Sequence, residues 1–265
     1  MTQDDLIYFK GWFADYTRSY YTSDREDQKN ILLKVEHTDS VCRNIVAIAE
    51  GSSLEGNQVR LAETVALFHD VGRFRQYTKY KTFRDALSIN HGLLGSKILI
   101  EEKVLQRIPG DEQKLIIQAV KFHNAFAIPT VLDSKVVLFL KLVRDADKVD
   151  IFRVFIKYYE SPREERASAT AFGLPDTPEY SKLMLSCIMN KQVASYSNIR
   201  TENDFKLMKL SWVYDMHFKE SVRLLQERNY VNGIIGKLPQ TEDILAAMEV
   251  FREYISQRLY SGQDK

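Results

Sequence analysis

Apolar positions recur at helical spacing along most of the chain, and alternation of β-branched residues with a period of two is nearly absent. The pattern predicts helices over 3–22, 25–51, 55–71, 91–104, 111–126, 131–158, 177–193, 204–232 and 241–261. The punctuation agrees. Asp24 stands where it can cap the second helix, Gly72 follows the third, Ser88 or Asn90 can start the fourth, and Pro109-Gly110 separates the fourth from the fifth. Two segments lack a helical stripe. Residues 72–90 are basic and aromatic, and residues 160–176 are polar and contain Pro162, Gly173 and Pro175. The second segment divides the chain into a helical core at 1–160 and a C-terminal helical extension at 161–265, expected to pack on that core. The fold class expected is all-α.

Composition narrows the functional classes. Apolar residues make up 45% and charged residues 28% of 265, the balance of a chain that buries a substantial core. The 37 basic and 36 acidic residues leave a net charge of +1. No global field therefore draws the chain to a nucleic-acid polymer or an anionic membrane. Cys42 and Cys187 form neither a disulfide framework nor a thiolate zinc site, which suits a reducing cytoplasm. The N-terminal stretch lacks the charge and apolar pattern of a secretory leader, and no apolar run approaches a membrane span. No feature points to an oligomeric state.

Histidine is scarce, with five in the chain, and four fall on different predicted helices or at their starts. His37 shares a stripe with Leu33, Val41 and Ile45; His69 lies with Ala62 and Val65; His91 with Leu94 and Ile98; His123 with Ile116 and Val120. All four are therefore expected to face the core. A buried imidazole left with an unsatisfied nitrogen costs about 1–3 kcal/mol. Four from separate helices call for a common partner, and a metal ion is one. His217 has an apolar stripe but no comparable acidic neighbour, so no site role is expected for it.

The acidic residues strengthen this. Asp70 follows His69 at a helix end, where the negative pole of the helix disfavours an anion unless a cation is near. Asp147 continues the stripe Val136, Leu140, Val143, Ile151 and Val154, and an inward carboxylate is costly unless paired or coordinated. Asp145 groups with Lys141 and Lys148 and is expected to be solvated. Asp150 fits either an acceptor that orients a histidine or an ion pair with Lys148 or Arg153.

An isolated His37, the pair His69-Asp70 ending a helix, and Asp147 within RDADKVDIF resemble the HD superfamily of metal-dependent phosphohydrolases. The flanking stretches ALFHDVGR and INHGLLGSKIL are similar to its signatures, and the resemblance covers roughly residues 30–155. It implies an all-α HD-domain helical bundle with a metal held by His37, His69, Asp70 and Asp147. Some members bind a second ion through additional histidines, and His91 and His123 sit where those would fall. The alternative is a single ion, with His91 and His123 bonded to substrate. Two departures are visible. Arg73 replaces the Lys often found three residues after the Asp, and HNAFAIP lacks the double-His, Gly-Tyr-Pro pattern of the cyclic-dinucleotide phosphodiesterases.

Mixed imidazole and carboxylate donors suit a borderline divalent ion such as Mn, Fe, Co, Ni or Zn better than Ca, and one or two divalent ions are expected, with Mg also admitted. The expected reaction is hydrolysis of a small phosphate ester, nucleotides included. Asp70 and Arg73 are the candidate catalytic residues, and Arg73, Lys148 and Lys121 the candidate phosphate contacts. Two other readings stand beside it: an HD-fold di-iron oxygenase, and a non-catalytic metal-binding regulator.

Overall fold

The computed structural model describes residues 1–168 and 173–260, and these contain helices and no strand. The chain is all-α, and it divides into two compact units, Met1–Asp150 with Arg163–Thr170, and Ile151–Pro162 with Ala171–Lys265.

The first unit contains α1 (Gln3–Arg18), α2 (Arg25–Gly51), α3 (Asn57–Phe68), α4 (Gly72–Tyr80), α5 (His91–Glu101), α6 (Gly110–Phe122) and the N-terminal part of α7 (Ser134–Glu160). Their starts follow local chemistry. Thr2 and Asp5 form a reciprocal capping box, and the side chains of Asp24 and Asn90 accept from the backbone three residues on. Phe9, Ile45, Ile48, Phe68, Ile98, Ile116, Phe139 and Leu140 are buried at their centre, each contributing about 1.5–3 kcal/mol of transfer free energy.

Two glycines set how closely the site-bearing helices approach. A Cβ on Gly72 would lie 2.3 Å from the carbonyl oxygen of His91, and one on Gly92 would lie 2.9 Å from that of Lys121. Only hydrogen fits between these backbones, so α4 packs against α5 and α5 against α6 at distances no other residue permits.

The stretch 72–90 departs from expectation, because α4 occupies its first half. Gln76 lies inside with Phe74 and Tyr77. A buried amide interrupts the apolar stripe and masks its helical period. Asp145 is also corrected: it is buried, because α7 is enclosed on more than one face, with Leu142, Val143, Ala146 and Val149 inside as well.

The second unit contains α8 (Lys182–Met189), α9 (Glu202–Ser211), α10 (Lys219–Glu227), α11 (Tyr230–Ile235) and α12 (Glu242–Tyr260). The single helix expected over 204–232 is three. Residues Trp212–Asp215 tighten into a 3₁₀ turn, the Met216 carbonyl accepts from Arg258 rather than from the helix, and Asn229 turns left-handed at φ 56°. α9 is buried on every side, charges included; Tyr159 bonds Glu202, and Lys206 donates to Asn203.

Candidate metal centre

Six side chains converge within the first unit. α2 supplies His37, the turn ending α3 supplies His69 and Asp70, α5 opens on His91, His123 follows α6, and α7 supplies Asp147. His37, His69 and Asp70 each offer a donor atom, all within 4.8 Å of one another, and so do Asp70, His91 and His123. Asp70 belongs to both lobes. Its Oδ2 lies 3.7 Å from Nε2 of His37 and of His69, while Oδ1 lies 3.2 Å from Nε2 of His91 and 3.8 Å from that of His123. Asp147 joins the first lobe, with Oδ1 3.1 Å from His37 Nε2 and 4.0 Å from His69 Nε2. The helix end that strands Asp70 at an unfavourable pole also frees both its oxygens to face different partners.

Each imidazole is fixed from behind. His69 Nδ1 is 2.6 Å from the Ala66 carbonyl oxygen and His123 Nδ1 is 2.8 Å from that of Val120. His37 Nδ1 is 2.7 Å from Asp150 Oδ2, and His91 Nδ1 is 2.7 Å from Asp85 Oδ2. A carbonyl or a carboxylate can only accept, so the proton of each neutral ring belongs on Nδ1 and the Nε2 lone pair turns inward. The inward atoms then crowd: Nε2 to Nε2 is 3.3 Å between His37 and His69 and 3.0 Å between His91 and His123. Facing lone pairs beside two carboxylates call for positive charge between them, supplied at the first pair by a proton on His37 Nε2 or by a bound cation. The donor set therefore fits divalent ions, one lobe each side of Asp70.

Electrostatics tell the same story. Burial is the largest influence on His37 and pushes its pKa down, but the carboxylates of Asp147 and Asp150 outweigh it and lift the pKa to about 9. Burial holds His69 low, and takes His123 to about 3 with help from His91 and His69. Burial would raise Asp70, yet Lys34, His69 and Arg73 hold it well below the ordinary carboxylate range. Asp147 is likewise lowered against burial, chiefly by His37. Of the six residues only Asp147 is open to solvent, with its side chain 23% exposed.

Two cations border the cluster. Lys34, one turn before His37, places Nζ 2.7 Å from Asp70 Oδ2 and 5.1 Å from the Phe83 ring centre. Its spacing of three from His37 is the only trace it leaves in the sequence. Arg73 places Nε 3.4 Å from Asp70 Oδ1, and its Nη1 donates to Gln76, Phe83 and Asp85. Nε itself is buried without a hydrogen-bond partner. Lys148 is half-buried on α7; Lys121 is exposed on α6, with its ammonium over the Phe122 ring. Asp85 lies six residues before His91 in a segment without pattern, and only the fold reveals it.

Residues 35–151 match the family model of the HD domain. The matched segment contains all six converging residues, and this part of the chain is an HD domain. No curated protein and no solved structure matches the chain. Among the described residues no helix is long and apolar enough to cross a membrane.

Proposed function

We propose that the HD domain of this chain is a metal-dependent phosphohydrolase that cleaves a small phosphate ester, with nucleotides the first substrates to try. The observation that carries this reading is Asp70, whose two oxygens face two histidine pairs while Lys34 and Arg73 stand beside it. Paired ion sites flanked by cations suit an ester whose attacking, leaving and non-reacting oxygens all carry charge.

The residue roles divide as follows. His37, His69 and Asp147 would hold one ion and His91 and His123 the other, with Asp70 available to both. Bound divalent ions would supply a water of lowered pKa and polarise the phosphoryl oxygen. Lys34 and Arg73 engage the non-reacting oxygens, and Lys148 and Lys121 add positive charge for the rest of the phosphate. Asp147, at the solvent side, is where the ester meets the cluster.

The test is phosphate release from a panel of nucleotides and sugar phosphates, with Mn, Co, Ni, Zn or Mg added in turn. Turnover abolished by Asp70→Asn supports the reading. Oxygen uptake by iron-loaded protein without phosphate release would replace it with the oxidative one. Metal binding with no turnover of any ester would leave a regulator.

A further inference from the structure

The two lobes are built alike from behind. Each has one histidine backed by a main-chain carbonyl, His69 on Ala66 and His123 on Val120. Each has a second backed by a carboxylate, His37 on Asp150 and His91 on Asp85. The two carboxylates come from different places. Asp150 projects from α7, whereas Asp85 belongs to the short 3₁₀ turn Asp85–Leu87 between α4 and α5.

Asp85 is heavily held for a residue of a connecting segment. Arg73 Nη1 and Gln76 Nε2 each donate to its Oδ1 at 2.9 Å, and Asn124 Nδ2 donates to Oδ2 at 2.9 Å. With His91, four side chains from α4, α5 and the end of α6 converge on one carboxylate. Gln76 also donates to Ser88 and to the Ile89 carbonyl, which ties the connecting segment to α4. A segment pinned only for stability needs no carboxylate aimed at a ring nitrogen. A carboxylate behind an imidazole fixes its tautomer and rotation and makes the opposite nitrogen a stronger donor.

We propose that Asp85 is the positioning residue of the second lobe, orienting His91 so that His91, His123 and Asp70 hold a divalent ion of their own. Asp150 does the same for the first lobe through His37. The connecting segment 81–90 thereby decides whether the centre holds one ion or two. This rests on the metal-centre reading and is independent of which ester is cleaved.

The experiment is Mn²⁺ titration of wild type, Asp85→Asn and Asp150→Asn, read by native mass spectrometry and by electron paramagnetic resonance. Wild type should bind two ions and show the signal of a coupled Mn pair. Asp85→Asn should weaken one ion by about 10–100-fold, leave the other unchanged and show an isolated Mn signal. Asp150→Asn should weaken the other ion, and Asp85→Glu should recover part of the loss. Undiminished binding of both ions by Asp85→Asn overturns the proposal, as does equal weakening of both. A single ion in wild type also overturns it but leaves the hydrolase reading to be decided by phosphate release. Should Asp85→Asn fail to fold, Asn124→Ala loosens the same carboxylate; unchanged affinity for both ions there overturns the proposal, and selective weakening of one supports it.

Discussion

His91 and His123 meet at their Nε2 atoms across 3.0 Å, and each ring has already committed Nδ1 to an acceptor behind it. A cation between them would remove the repulsion, and the unfolded chain does not hold these donors together, so metal should stabilise the folded chain. Ion at a hundred times its dissociation constant adds about 2.7 kcal/mol of stability. The loaded protein should therefore melt several degrees above the chelated one by scanning calorimetry. Identical melting curves would contradict a built metal centre.

Metal loading should release protons. In the metal-free chain His37 keeps a proton up to about pH 9, because two carboxylates raise its pKa above the ordinary 6.5. An ion takes Nε2 only after that proton leaves, so affinity climbs as pH rises toward 9 and flattens beyond it. His69 and His123, kept neutral by burial, add no protons to this count. Isothermal titration at pH 7 in buffers of different ionisation enthalpy measures the number released, and a value near zero would refute the assignment.

Gly72→Ala should be poorly tolerated. Its Cβ would meet the His91 carbonyl at 2.3 Å and the Gly95 amide nitrogen at 2.8 Å, both backbone atoms that cannot swing aside. Overpacking of this kind costs about 1–3 kcal/mol. Gly11→Ala is the control, since a Cβ there meets nothing within 4 Å and the position is helical. Chemical denaturation should show the first variant weakened and the second at least as stable as wild type.

Lys34→Met should separate chemistry from metal content. The ammonium touches Asp70 but offers no lone pair to a cation, so the bound metal should stay. Phosphate release should fall on the order of 100-fold, the usual cost of removing one donor to developing charge. Metal analysis and initial rates on the same sample check both halves.

The sequence exposes five of the six converging residues because each is a polar side chain at an apolar position of a helical stripe, and Asp70 because it follows His69 at a helix end. The residues behind and beside them carry no such mark. Lys34 looks like any surface lysine until the fold sets it on Asp70. Asp85 sits in a segment with no period at all, and Gln76 hides α4 by interrupting its stripe. Asp150 is legible in kind, and its contact with His37 fits the role of orienting a histidine. The long helix expected over 204–232 fails for another reason. A helical stripe shows which residues face inward but not where a left-handed residue such as Asn229 ends the run.

Asp147 is the most solvent-exposed member of the six-residue cluster. On the proposed two-ion reading, an ion held beside Asp147 would meet solvent first, so a change of metal supply should replace it before an ion held by His91 and His123.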